Sequence, residues 1–338
     1  MKWWNLALVI LAFQKSGAQT LGGNAIFNFI IQPNSAQLSS LGGVNITNIG
    51  NDVGMTFHNP SLLRKQMHGQ ASTSFNSFVA GIKNYSLTTA YHSKKYNTNF
   101  GFGLNYFNYG NIIQTDVSGN EFGTFKPIDF VIQLAGSRQY NDNWFYGATL
   151  KLINSRYAQF TSNGVAVDVG VTYADTSSKL QVSVIAKNMG SQLKTYNGDN
   201  NKEELPFDLQ AGITKRLSKA PFQFSLTAHN LHRFDIHYRD TTFLASEGGG
   251  SFRNRKFTLS KIVSHLVFST QINIADKVEI SGGYNFLRRK DLNAFSSTNG
   301  LNGFTIGAGL LLKYLQVRYA SGFYQQHTFN QLSLNLIL

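Results

Sequence analysis

Four groups of residues in this chain have types and spacings that chemistry could use. Ser191-Gln192-Leu193-Lys194 matches S-x-x-K, in which a lysine amine assists a serine nucleophile. The companion K-T-G and S-D-N motifs are absent, as is G-x-S-x-G, and the match falls in an expected loop and not at a helix start. A pattern this short arises by chance. His229, His232, Asp235 and His237 gather imidazoles and a carboxylate, but they run from a strand end into a long loop without the i, i+4 helical pairing of a zinc hydrolase. Loop-surface histidines and no metal site are the expectation. His265 is expected on the polar face of its strand, pointing into an interior as a hydrogen-bonding residue. Gly101-Phe102-Gly103 and Gly307-Ala308-Gly309 resemble pieces of dinucleotide loops, yet each sits inside an alternating strand pattern with no helix after it. Small residues that leave room for something inside the fold are the better reading. Finally, the segment 231–261 carries Arg233, Arg239, Arg253, Arg255, Lys256 and Lys261 against Asp235, Asp240 and Glu247, with Gly248-Gly249-Gly250 within it. It is longer than a hairpin needs, so it is either functional or unstructured. Its guanidinium groups would suit carboxylate or phosphate groups on a partner.

None of these groups assembles a nucleophile, an acid/base pair or a cofactor site, so no enzyme and no cofactor is expected. The elements that would position them carry more information. Charged residues make up only 14% of the chain, against the quarter or so usual for a soluble domain, while the net charge is +13. Lys and Arg are scattered near expected strand ends and loops, and no basic cluster with interleaved aromatics marks a nucleic-acid groove. Lipid head groups, surface polysaccharide or an acidic protein fit the balance better. The chain has no cysteine, which excludes disulfides and thiolate metal sites.

Residues 1–18 read as an export signal: Lys2, an apolar run from Leu6 to Phe13, then Ser16-Gly17-Ala18 before Gln19. The run is far shorter than the ~20 residues a spanning helix needs. From about residue 69 to Leu338 the chain alternates apolar and polar residues. Phe100, Phe102, Leu104 and Tyr106 alternate with Gly101, Gly103 and Asn105, and Leu332, Leu334, Leu336 and Leu338 with Gln331, Ser333 and Asn335. Fourteen such segments begin near residues 69, 82, 98, 127, 144, 163, 179, 206, 222, 262, 277, 301, 314 and 327. Most have the ~9–11 residues of a tilted membrane-crossing strand. Short connections alternate with positions where the long ones fall, at 109–126, 189–205, 231–261 and 288–300. Outer-membrane barrels sort their loops this way, with both chain ends periplasmic and the longer loops outside. Tyr106, Phe107, Tyr109, Tyr140, Trp144, Tyr146, Tyr173, Tyr284 and Phe286 lie near strand ends, as interfacial girdles would require.

Residues 38–63 break the rhythm. Gly42, Gly43, Gly50, Gly54 and Pro60 punctuate apolar residues with no sustained period. The expected fold is therefore all-β: a 14-stranded antiparallel transmembrane barrel over residues 69–338, with residues 19–68 as a hatch in its lumen.

Several stretches resemble the PorQ family of the Bacteroidota type IX secretion system. They are Leu21-Gly22-Gly23-Asn24-Ala25-Ile26-Phe27-Asn28-Phe29, Leu41-Gly42-Gly43, Asp52, and Asn59-Pro60-Ser61-Leu62-Leu63, with Ser264-His265-Leu266-Val267-Phe268 further on. The run from Gly283 to Leu292 and that from Gly300 to Gly307 are similar as well. PorQ and its relative PorV are similar to the FadL long-chain fatty-acid channels, in which Asn-Pro-Ala marks the hatch; here Ser61 replaces the alanine. Gly42, Gly43, Asp52, Asn59 and Pro60 are then the hatch motif. Leu338 departs from the aromatic residue that ends many outer-membrane barrels. The resemblance implies a non-enzymatic part of the cell-surface attachment complex. It would tether a PorZ-like surface protein that works with PorU and PorV in linking cargo to lipopolysaccharide. A passive FadL-like channel for hydrophobic compounds is the alternative.

Overall fold

The two-residue alternation becomes a closed wall because each strand meets different surroundings on its two faces. The computed structural model describes residues 25–236, 258–292, 299–325 and 327–338. Its wall begins with β1 (Gln70–Ser77), β2 (Lys83–Ser93) and β3 (Thr98–Asn108). A separate hairpin of β4 (Ile112–Thr115) and β5 (Glu121–Phe125) intervenes before the wall resumes with β6 (Ile128–Gln139), β7 (Trp144–Tyr157), β8 (Phe160–Asp175) and β9 (Leu180–Lys194). It continues through β10 (Asp208–Arg216), β11 (Phe222–Ala228), β12 (Leu266–Ile274) and β13 (Val278–Asn285), and ends with β14 (Phe304–Leu311), β15 (Leu315–Tyr324) and β16 (His327–Ile337). All pair antiparallel with their neighbours, and β16 returns to β1 with Thr73 opposite Leu334, closing a 14-stranded barrel. Closure removes every open strand edge from the wall.

Burial along the strands is inverted relative to a water-soluble protein. On β16, Gln331, Ser333 and Asn335 are buried, while Leu332, Leu334 and Leu336 are 42%, 37% and 47% exposed. Polar side chains face inward and the apolar ones outward, which is the arrangement of a barrel surrounded by hydrocarbon. Among the described residues no helix is long and apolar enough to cross a membrane.

Connections follow the same logic. On one rim every link is short: 94–97, 140–143, 176–179, 217–221, 275–277 and 312–314. The opposite rim carries 109–127, 195–207, 229–265 and 286–303. Two of these hold short helices, α2 (Leu259–Ser264) and α3 (Phe286–Leu292), tied by Lys290 Nζ donating to Ser260 Oγ at 2.7 Å. α1 (Ala36–Ser40), in the N-terminal segment, is the first of the three by sequence.

Some expectations are corrected. β9 continues to Lys194, so Ser191 and Lys194 lie on a strand and not in a loop, and both are exposed. His265 caps the end of α2 and is not on the face of β12; its Nδ1 meets the His229 carbonyl at 2.7 Å. Phe107 and Tyr109 do not join a girdle. Phe107 is buried against Phe29 and Phe78, and Tyr109 stacks on Phe107, because odd-numbered residues on this stretch of β3 point inward. Tyr140, Trp144 and Tyr146 are exposed, and Trp144 meets Tyr173 edge to face at 5.2 Å.

Leu334→Arg, on the outward face near mid-strand, should destabilise the folded barrel in lipid by about 2–4 kcal/mol. Urea-driven unfolding in vesicles reads this directly, and an unchanged midpoint would contradict the assigned outward face.

Candidate functional site

Between Ile26 and Met67 the chain adopts almost no regular structure, so its N–H and C=O groups need partners other than a ladder. Short turns of 3₁₀ helix at Asn28–Ile31, Val53–Phe57, Pro60–Leu62 and Lys65–Met67 satisfy some of them. Inward side chains of the wall satisfy others. Ser333 Oγ accepts the Ala36 N–H at 2.7 Å, and Thr305 Oγ1 accepts the Gly42 N–H at 3.0 Å. Ser86 Oγ donates to the Asn34 carbonyl at 2.6 Å, Gln133 Nε2 to Phe57 O at 3.2 Å, and Ser137 Oγ to Leu63 O at 3.1 Å. These donors and acceptors lie on strands distributed round the barrel, so residues 26–67 lie in its lumen, most of them buried, with Ile31, Asn51, Lys65 and Gln66 among those exposed.

The motif residues are each fastened by a stated contact. Asn59 donates from Nδ2 to Ile46 O at 2.8 Å, while its Oδ1 accepts from the Ser61 N–H at 3.0 Å and from Ser61 Oγ at 2.6 Å. Ser61 Oγ also meets Thr172 Oγ1 at 2.7 Å, and Thr172 meets Ser183 at 2.7 Å. The serine where a FadL hatch has alanine therefore joins the segment to β8 and β9. Pro60 lies so close to β7 that a Cβ at Gly147 would come within 2.6 Å of its carbonyl carbon. Gly42 and Gly43 adopt φ of 88° and 80°, which suits glycine, and Asn285 Nδ2 donates to Gly42 O at 3.2 Å. A Cβ at Gly307 would strike Ser40, so that small residue makes room for α1. Gly309 instead makes room for an ion pair, with Arg318 Cγ 3.1 Å from its would-be Cβ.

That ion pair holds Asp52. Arg318 Nη1 lies 3.3 Å from Asp52 Oδ2 and its Nε 3.5 Å from Glu279 Oε1, with all three side chains buried. The second carboxylate oxygen of Asp52 accepts the Gly54 N–H at 2.8 Å. One guanidinium thus bridges the N-terminal segment to β13 and β15.

A second charged cluster lies across the lumen. Lys151 Nζ pairs with Asp168 Oδ2 at 2.6 Å and donates to Asn188 Oδ1 at 2.8 Å. Asn188 sits at φ 57° where the β8–β9 register slips, and this bulge turns Lys187 and Asn188 inward together. Lys187 Nζ donates to His58 Nδ1 at 2.9 Å. His58 is buried; loss of water, with the Lys187 and Lys151 charges adding to it, holds the imidazole well below its ordinary range. The alternation puts Lys151, Lys187 and Arg318 on inward positions but does not show which groups they meet; the Lys187-Asn188 pair, polar at two successive strand positions, is the one signal of the bulge.

Cavities flank the segment. One of about 460 Å³, at the long-loop rim, is walled by Leu38, His58, Lys187, Asp208, His229 and Arg288 among others, and α3 closes over it through Leu287 and Asp291. Another, of about 520 Å³, opens at the short-turn rim beside Asn48, Arg64 and Gln181. No residue lines both. Of the basic loop, Arg233 lines the first cavity and reaches Glu204 at 3.5 Å; Arg239, Arg253, Arg255 and Lys256 lie outside the described residues, as does His237. His229 and His232 also line it, Asp235 pairs with Lys261 at 2.8 Å, and no metal-binding group is found among the described residues.

No protein-family profile and no curated protein matches the chain. Its fold is similar to that of the Pseudomonas putida toluene transporter TodX, at 11% identity and a TM-score of 0.53, over 90% of this chain and 97% of that one. The deltaS2 mutant of the TodX monoaromatic hydrocarbon channel gives the same identity and coverage with a TM-score of 0.52. The CymD monoaromatic hydrocarbon channel aligns with 92% of this chain and 97% of that one at 12% identity and a TM-score of 0.49. The chain has the fold of FadL-like outer-membrane barrels.

Arg318→Met should destabilise the folded barrel by about 3–5 kcal/mol, because Asp52 and Glu279 would remain buried without a cation. Adding Asp52→Asn and Glu279→Gln should recover much of that loss in urea titrations. For His58 the folded imidazole binds a proton less readily than an unfolded one, so its contribution is lost as pH falls below about 6.5. Hydrogen exchange over residues 53–63 should quicken at pH 5 relative to pH 7.5, and His58→Gln should remove that dependence.

Proposed function

We propose that the chain is an outer-membrane barrel that passes small hydrophobic molecules and that residues 26–67 are its gate. In this reading the long-loop rim faces the outside and both chain ends face the periplasm. The observation that carries it is a lumen filled from within by a separate segment, inside a wall whose fold is shared with TodX. Two cavities with no common lining residue are what a closed gate leaves on its two sides. The barrier between them includes side-chain hydrogen bonds such as Thr47 Oγ1 to Thr214 Oγ1 at 2.7 Å, which can be exchanged for water one at a time. No step of this function needs catalysis.

A second reading has support of its own. The long connections all rise from one rim, with α2, α3 and the β4–β5 hairpin built on them, as a docking platform requires. Together with the resemblance to the PorQ family, this favours a tether for a PorZ-like surface protein, and through it PorU, PorV and lipopolysaccharide.

The absence of cysteine allows both to be tested in one background. Thr47→Cys with Thr214→Cys places two thiols where the hydroxyls are 2.7 Å apart. A gate predicts that liposomes carrying the oxidised double variant lose the toluene entry supported by the unchanged protein, and regain it on reduction. Toluene flux that ignores the crosslink, or that the unchanged protein never supports, would remove the channel reading. Deleting residues 239–256 separately tests the tether: surface partners should leave the outer membrane while the barrel still assembles.

A further inference from the structure

At the long-loop rim, away from the lumen charges, lies a third cavity of about 510 Å³. Its floor is Asp129, 3% exposed, at the start of β6. Tyr109 donates its hydroxyl to Asp129 Oδ2 at 2.5 Å, Tyr157 donates to the same oxygen at 3.1 Å, and Ser155 donates to Oδ1. Tyr196 in turn meets the Ser155 hydroxyl. The three phenol rings run side by side, with centroids 5.9 Å apart from Tyr109 to Tyr157 and 5.8 Å from Tyr157 to Tyr196. Phe27 and Phe160 add apolar walls, and Glu203 stands at the edge.

The charge inventory of this cavity is unbalanced. Two carboxylates line it, and among the described residues no Lys, Arg or His does. Asp129 makes no ion pair among the described residues, in contrast to Asp52 and Asp168, which each meet a cation inside the same barrel. Its oxygens already accept three hydroxyl protons. What the site lacks is positive charge and not hydrogen-bond donors. A neutral sugar would bring donors that the carboxylate has little room for. A quaternary ammonium ion brings charge, asks for no lone pair, and is attracted by the faces of aromatic rings.

We propose that the Asp129 cavity, walled by Tyr109, Tyr157, Tyr196, Phe27 and Phe160, is a binding site for small quaternary ammonium groups at the outer mouth of the barrel. The site shares Phe27 with the segment proposed as the gate, but the binding test below reads the closed structure and needs no flux through the lumen.

The test uses the full chain in a non-ionic detergent, with tetramethylammonium and choline as probes followed by calorimetry or saturation-transfer NMR. 3,3-Dimethylbutanol, the uncharged counterpart of choline, is the control and needs no variant. Choline should bind saturably and at least about tenfold more tightly than dimethylbutanol, the scale of a carboxylate plus a ring-face contact. Asp129→Asn should lose most of that difference, and Tyr196→Leu, which leaves the Asp129 hydrogen bonds from Tyr109 and Tyr157 in place, should weaken both cations. Heat-modifiable gel mobility confirms that each variant is folded. Equal binding of choline and dimethylbutanol, full retention by a folded Asp129→Asn protein, or no saturable binding of either cation would each overturn the assignment.

Discussion

An irregular backbone enclosed in a wall must find a partner for each of its peptide groups, and that obligation shapes this barrel from the inside. A strand satisfies its neighbours through the ladder, but residues 26–67 have no ladder and little contact with water. The wall answers with serine, threonine, asparagine and glutamine at inward positions, such as Ser333 to Ala36, Thr305 to Gly42 and Gln133 to Phe57. Where the segment comes closest, the wall has glycine, as at Gly147 beside Pro60 and Gly283 beside Gly42. The inward face is thus a mould for one particular segment, while the outward face answers only to hydrocarbon.

Charges inside the mould obey a stricter version of the same requirement. A buried carboxylate or ammonium without a counter-charge is costly, so Asp52, Arg318 and Glu279 form one group and Lys151 and Asp168 another. Lys187 is held differently, by the lone pair of a neutral imidazole on the segment. This makes the two clusters unequal in kind. The Arg318 group holds the segment by ion pairing, whereas the Lys187–His58 contact depends on the imidazole staying unprotonated.

Strand number, the sorting of loops and the choice of face were legible because lipid and lumen impose opposite chemistry on alternate residues. The period says nothing about which inward residues meet. Asp129, Tyr109, Ser155 and Tyr196 come from separate stretches of chain and converge only through the pairing of β3 with β6, β6 with β7, β7 with β8, and β8 with β9. Bulges mislead the alternation further: the register slip near Val167 turns Lys187 and Asn188 to the same side, which strict alternation forbids. Asn59-Pro60-Ser61 was recognisable as local punctuation, but its attachment to Thr172 and Ser183 depends on a register set far along the chain. β12 begins at Leu266 because the apolar residues just before it, Ile262 and Val263, wind into α2.

The seam between β1 and β16 has a consequence for the lumen segment. Leu338 donates its N–H to Gly69 O at 3.2 Å, so the last residue of the chain zips against the first residue after the lumen segment. The circle is completed only when β16 pairs with β1. Residues 26–67 touch strands from both halves of that circle. The enclosed segment bridges that seam from within: Ser74 on β1 donates to Asn34 O at 2.5 Å, and Ser333 on β16 accepts the Ala36 N–H at 2.7 Å.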